Sequence, residues 1–384
     1  MDFSGFADIP VTDGHIHFPH YRLAGDLLSV LREGRIARAN LVATPDLQSI
    51  NQNPAVLYFK ACHPDRTYIC GALDYAQALA GTLPPAKALA AQVERLAEIG
   101  FDGLKLVEGK PVVRRMIPFP FDGPEMAGLW AALEERDMPL VFHVADPEEF
   151  WDPALCPDWA RAQGWFYGDG SYPSKEGLYA EVERVLARHP RLKVAFAHFY
   201  FLSANLPRAA AFLDAHPNVC LDLTPGIEMY VNFSRDPDAA RTFFLKYQDR
   251  LIYGTDIGAE AFFESDSPHL DMGDSLGRTW IVRRFLEGEG EFAAPPELGH
   301  GLGMDCGLLR GIALPKEVLE KIYHTNFARQ FGAAPAPLDR QAALAELERM
   351  AATLDGWAGT AVESAARQVA RLLVVGQSRE EVGE

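Results

Sequence analysis

The chain is poor in the features that would tie it to a membrane, a nucleic acid or an oxidising compartment. No window reaches the ~18 unbroken apolar residues that a membrane-spanning helix needs. The opening stretch, MDFSGFADIPVTDGHIHF, lacks a basic segment followed by an apolar core, so no secretory leader is expected. Positive charge is scarce: 36 Lys and Arg face 53 Asp and Glu, a formal net charge of −17. That balance disfavours nucleic acid and anionic membrane surfaces as partners. It leaves an anionic small-molecule substrate open, because a metal and a few basic residues reverse the field locally. Cysteine is scarce as well. Cys62, Cys70, Cys156, Cys220 and Cys306 are odd in number and contain no C-x-x-C pair. This argues against a disulfide framework and against a thiolate zinc site, and a reducing cytoplasm fits.

Apolar residues are plentiful, at 48% of 384, enough for a sizeable core. They fall into short strand-length runs separated by longer amphipathic ones. The short runs are 11–18, 40–44, 68–73, 103–107, 139–144, 192–198, 218–224 and 250–256. Several are apolar on both faces, as strands covered on both sides must be. Helical runs are expected at about 24–37, 51–62, 85–99, 124–137, 175–189, 205–216, 236–249 and 315–330. His63-Pro64, His189-Pro190 and His216-Pro217 each end a helix before a strand: proline halts the helix, and histidine suits the negative end of its dipole. Eight βα units in sequence imply an α/β fold, a (β/α)₈ TIM barrel, over residues 1–335. An open doubly wound sheet is the structural alternative.

Two connections are long, 145–173 after strand 5 and 257–313 after strand 8. Both follow strands, on the face where barrels place their active sites, and both are expected to wall the pocket there. The first holds Trp151, Trp159, Trp165, Tyr167 and Tyr172. Residues 336–384 read as a C-terminal helical extension that packs on the barrel or on a second subunit of a homodimer, with a loose tail from Gly376.

Chemistry concentrates at strand ends. In Asp13-Gly14-His15-Ile16-His17 the two imidazoles fall on one strand face and make a start for a metal site. His143 closes LVFHV, His198 closes VAFAH and Asp256 closes YGTD. In a closed barrel all four strands face one cavity, so five such residues at corresponding ends form one constellation. Asp13 lies deeper on the same face and is expected to orient a ligand or fill the barrel floor. Asp222, Thr224 and Glu228 follow strand 7 towards the same pocket. Arg114 and Arg115 read as a solvated pair or a carboxylate clamp. His20, His63, His189, His216, His269, His300 and His324 are read as loop or helix residues outside the chemistry.

With HxH on strand 1, His on strands 5 and 6 and Asp on strand 8, the chain resembles the amidohydrolase superfamily. KIYHTNFARQFG (321–332) resembles the closing helix of the branch that contains decarboxylases related to aminocarboxymuconate-semialdehyde decarboxylase. The resemblance spans about residues 9–332. It implies a divalent metal, most simply Zn²⁺, one or two per chain, bound by His15, His17, His143 and Asp256. Lys105 in GLKLVEG joins the metal set if CO₂ carboxylates it; unmodified, it anchors a substrate carboxylate or pairs with Glu108. The expected reaction is hydrolysis of an amide, lactam or lactone by a metal-activated water, with Asp256 as proton shuttle. His198 either polarises the carbonyl or ligates a second metal. Lys105, Tyr167, Tyr172 and Glu228 are the expected substrate contacts. Non-oxidative decarboxylation of a small aromatic or unsaturated acid is the alternative, and a barrel that binds metal without catalysis is a third reading.

Overall fold

A computed structural model describes residues 1–46, 50–226, 228–259, 269–298 and 307–382, the last seven of these as backbone alone. His300, Cys306 and parts of the 257–313 connection therefore lie outside the described residues. Eight parallel strands form one sheet in chain order: β1 (Val11–His17), β2 (Ile36–Val42), β3 (Thr67–Gly71), β4 (Gly103–Gly109), β5 (Leu140–Val144), β6 (Val194–Phe196), β7 (Val219–Asp222) and β8 (Leu251–Ile252). The sheet closes where the chain beyond β8 meets β1. Gly14 N donates to Tyr253 O at 2.9 Å, Asp256 N to His15 O at 2.9 Å and His17 N to Ile257 O at 2.8 Å. Gly14 makes that closure possible, since a Cβ there would lie 2.8 Å from Ile252 Cγ2 and 3.0 Å from Tyr253 O. The open doubly wound sheet is thereby excluded.

Helices α1 (Ala24–Glu33), α2 (Asn53–Cys62), α3 (Pro85–Ile99), α4 (Ala127–Glu135), α5 (Lys175–Arg188), α6 (Leu206–Ala215) and α7 (Pro237–Lys246) surround the strands. Their stop signals work as the sequence suggests. His63, His189 and His216 cap α2, α5 and α6 outside helical geometry. Gly100 ends α3 in the left-handed region at φ 102°, where glycine pays no Cβ penalty.

The long connection after β8 contains a 16-residue helix, α8 (Met272–Glu287), and a hairpin of β9 (Glu289–Ala293) with β10 (Leu308–Ile312). The helix escapes sequence reading because it is buried nearly all round, with Asp274, Arg278, Thr279 and Arg283 as covered as Ile281 and Phe285, which erases the one-sided stripe that marks a surface helix. It packs on α1. The helix expected at 315–330 is present. Lys316–Phe331, α9, includes a π-helical turn at Lys321–Thr325. Its Phe327 and Phe331 join Val42, Tyr68, Cys70, Val141, Ala195, Cys220 and Ile252 in a separate interior cluster. Those strand residues point inward, so α9 plugs the barrel at the end where its strands begin.

The last helices, α10 (Arg340–Ala358) and α11 (Ala365–Val382), lie on α2 and α3. Arg95 Nε meets Glu346 Oε2 at 2.8 Å, and Arg349 Nη1 meets Asp74 Oδ2 at 3.2 Å. The backbone of α11 continues through Gly376 to Val382, where the sequence suggested a loose tail. Among the described residues no helix is long and apolar enough to cross a membrane.

Candidate metal centre

β1 delivers His15 and His17 to the same side, both buried. The turn after β8 delivers Asp256 with φ 61°, a left-handed conformation that costs a non-glycine residue about 1–3 kcal/mol and that the Asp256 N–His15 O bond holds in place. His15 Nε2 is 3.3 Å from His17 Nε2, His17 Nε2 is 3.2 Å from Asp256 Oδ1, and His15 Nε2 is 3.6 Å from the same oxygen. These three residues form a cluster able to hold a metal ion. A tetrahedral ion with ligands at ~2.0–2.1 Å sets its donors about 3.3 Å apart, so the triangle has the right size. Asp256 Oδ1 is buried and, among the described residues, receives no hydrogen bond. An ionised carboxylate oxygen facing two imidazole nitrogens with no donor fits a cation between them.

Electrostatics agree. Burial alone would raise Asp256, but the close approach of His17 and the fields of His198, His17 and His15 take it well below its ordinary value. Burial pushes His17 down to about 4, against the pull of Asp256, leaving its lone pair available at neutral pH. The ring of His15 is oriented by Asp222, whose Oδ2 is 2.8 Å from His15 Nδ1. The other oxygen of Asp222 takes the His198 backbone N–H at 2.8 Å. Asp13 does something else: it accepts Thr255 Oγ1–H at 2.6 Å and the His15 N–H at 3.1 Å, bracing the β1–β8 seam rather than a ligand ring.

Lys105, on β4, is fully buried and places Nζ 2.9 Å from His15 Nε2. Burial brings it down to about 8. Glu108, its expected partner, is engaged by Tyr75 O–H at 2.7 Å.

His143 and His198 stand beside the triad rather than in it. His143 Nε2 lies 2.9 Å from Ala145 O and 3.3 Å from Asp146 Oδ1, and its ring is edge-on to that of His198 at 5.0 Å. His198 opens a run of four residues with positive φ, His198, Phe199, Tyr200 and Phe201, between 49° and 56°. Non-glycine residues pay roughly 1–2 kcal/mol each for such geometry. Dense aromatic packing offsets it: Phe199 meets Phe233 at 5.0 Å and Tyr200 meets Phe196 at 4.2 Å. The turn aims His198 inward. Its Nδ1 is buried with no hydrogen-bond partner among the described residues, and burial lowers it to about 3.

The aromatic connection after β5 reaches the same end of the barrel through Asp146, a buried residue that sequence reading passed over. Asp146 accepts Lys110 Nζ at 2.8 and 2.9 Å and Tyr167 O–H at 2.7 Å. Lys110 in turn sits 4.1 Å from the Trp165 ring centroid. Tyr167 is thus buried with its hydroxyl engaged, while Tyr172 packs edge-on against it at 4.9 Å and carries Arg115 on its face. Arg114 is neither solvated nor a clamp: it is buried in an ion pair with Glu181. Asp146 and Lys110 follow strand ends directly, the same signal that marked His143. Arg278, 3.7 Å from Asp256 Oδ2, had no such signal, because its helix was not legible.

A closed barrel carrying an imidazole–carboxylate cluster at the ends of its strands defines the class: a barrel built around a metal site. The chain belongs to the amidohydrolase family, whose model matches residues 12–333. No curated protein matches it. Among solved structures it is similar to a proposed amidohydrolase from Staphylococcus aureus, at 15% identity and TM-score 0.51, covering 84% of this chain and all of the other. It is similar also to 2,6-dihydroxybenzoate decarboxylase from Rhizobium, at 15% identity and TM-score 0.50, covering 84% of this chain and 98% of the other. These likenesses show a shared fold.

Proposed function

We propose that the protein is a metal-dependent hydrolase that cleaves a C–N or C–O bond, in an amide, lactam or lactone, of a small molecule. The observation that carries this reading is the donor triangle of His15, His17 and Asp256, with an acceptor-only oxygen at one corner. His15, His17 and Asp256 would hold the ion, His143 would complete the set from the next wall, and Zn²⁺ suits the nitrogen–oxygen donors. When bound, a divalent ion supplies Lewis acidity and lowers the pKa of a water to about 7.

The chain's own residues do the rest. Asp222 holds His15 in one tautomer. Asp256, ionised and within reach of His17, takes the proton of the attacking water and returns it to the leaving group. His198 presents a free Nδ1 from a braced turn, where it polarises the carbonyl. The aromatic connection after β5 reaches His143 through Asp146, 3.3 Å from its Nε2, and would limit water access. Lys105 would help hold a second ion only as a carbamate, and burial, which brings it down to about 8, raises the share of neutral amine that CO₂ addition requires.

A second reading is non-oxidative decarboxylation of a small aromatic or unsaturated acid. Lys105, 2.9 Å from His15 Nε2, and Arg278, 3.7 Å from Asp256 Oδ2, favour it as two cations that would seat a carboxylate; a barrel of like fold is a 2,6-dihydroxybenzoate decarboxylase. The test is a panel of lactones, amides and aromatic acids offered to metal-loaded protein. Ring opening or amide cleavage without CO₂ release supports hydrolysis. CO₂ release from an aromatic acid, with no cleavage of lactones or amides, overturns it.

A further inference from the structure

One wall beside the cluster carries polar groups that the proposed reaction does not use. Glu228 follows β7, and its Oε2 is shut off from solvent with no hydrogen-bond partner among the described residues. A Cβ built on Gly226 would lie 3.3 Å from that oxygen and 3.7 Å from His198 Cβ, so the carboxyl and His198 flank one spot. Lys175, at the start of α5, feels the field of Glu228, yet no ion pair within 4.0 Å joins them among the described residues. Its Nζ instead donates to Phe201 O at 3.3 Å. The Phe201 ring stands 5.2 Å from that of His198 and 5.4 Å from that of His143. Glu228 therefore neighbours His198 at one end of the left-handed turn and Lys175 neighbours Phe201 at the other, and the acid and the lysine do not meet.

We propose that Glu228 and Lys175 form a subsite for a neutral donor–acceptor group of the substrate, of carboxamide or ureido type, whose N–H donates to Glu228 and whose carbonyl accepts from Lys175. A buried carboxyl oxygen left without a partner is costly, and a ligand N–H completes it. A carboxylate is the wrong ligand, because Glu148, Glu149 and Asp146 add their fields to that of Glu228 around Lys175. An ammonium is wrong too, because it would stand beside the Lys175 ammonium and be repelled by it. Burial raises Glu228 to about 7, with Lys175 opposing and Glu149 and Asp146 reinforcing; an amide pairs with either form. This deepens the proposed function by naming the group at the far end of its substrate.

The test is calorimetric titration of zinc-loaded, full-length protein with terephthalamate, terephthalate and benzoate. The first two share a carboxylate at one end and differ only at the other. Terephthalamate is expected to bind about tenfold tighter than terephthalate, the effect of one well-made hydrogen bond at a buried group. Glu228→Met and Lys175→Met should each abolish that advantage with metal content unchanged, and Glu228→Gln should keep most of it. Should Glu228→Met fail to fold, Lys175→Met and the wild-type preference still decide. A wild type with no preference for the amide, or a preference that survives in both folded Met variants, overturns the subsite. Loss of all turnover with the amide preference intact would sink the hydrolase reading alone; turnover without the preference would sink the subsite alone.

Discussion

Asp222 Oδ2 stands 2.8 Å from His15 Nδ1, and this contact fixes which nitrogen of His15 faces the centre. An ionised carboxylate only accepts, so Nδ1 carries the proton and the lone pair lies on Nε2, the atom 3.3 Å from His17 Nε2. Partners of this kind tune metal affinity by about 10–100-fold. Asp222→Ala should therefore weaken divalent metal binding within that range, measured by competition with a chelator of known affinity. It should also release the His198 N–H that the other oxygen accepts. Unchanged affinity would mean that the contact is only structural.

Metal content is the most direct check on the cluster. Protein purified without chelator should carry about one or two divalent ions per chain, as sites with this ligand set do. Chelator should remove activity and metal together, and Zn²⁺ or Mn²⁺ should restore both. Full activity in metal-free protein would refute the site.

Glu228 predicts a pH effect that does not depend on metal. Its folded value is raised to about 7 from 4.5, so the folded state holds the proton more tightly than the unfolded chain. The stability that follows is complete below pH 4.5 and is lost as pH rises through 7. Relative to Glu228→Gln, the wild type should therefore lose about 1–3 kcal/mol between pH 4.5 and 7.5. The upper figure follows from the size of the shift, and the lower allows for a residue that is only half-buried. Urea unfolding of both proteins at the two pH values measures it; a difference independent of pH would show that Glu228 titrates normally.

Much of this was written in the chain. The eight strands were legible because each is an apolar run with a turn signal at its end, and the clustered residues His15, His17 and Asp256 because each lies at or near the end of such a run. Asp222 was seen as a pocket residue, but its contact with His15 joins positions 207 apart, and no local pattern encodes that. The helix carrying Arg278 was missed because burial on all sides removes its period. The left-handed turn from His198 to Phe201 was illegible for the opposite reason: its residues are aromatic where such geometry favours glycine, and only tertiary packing makes it tenable.

Asp256 can be separated from the histidines by what each loses on substitution. His15 gives the cluster a nitrogen donor, so His15→Ala should lose metal and activity together. Asp256 gives a donor and, on the proposed mechanism, a proton acceptor. Asparagine keeps an oxygen within reach of His17, where Asp256 Oδ1 now lies at 3.2 Å, so nitrogen ligands should still retain much of the metal. Asparagine has no basic lone pair at neutral pH. Asp256→Asn should therefore lower kcat by at least ~10², the lower range for removing a general acid–base group, with metal content falling far less. The measurement is metal stoichiometry and kcat on the same preparations. Near-normal turnover in Asp256→Asn would remove the shuttle role from Asp256 and pass it to His198, whose Nδ1 is buried with no hydrogen-bond partner among the described residues.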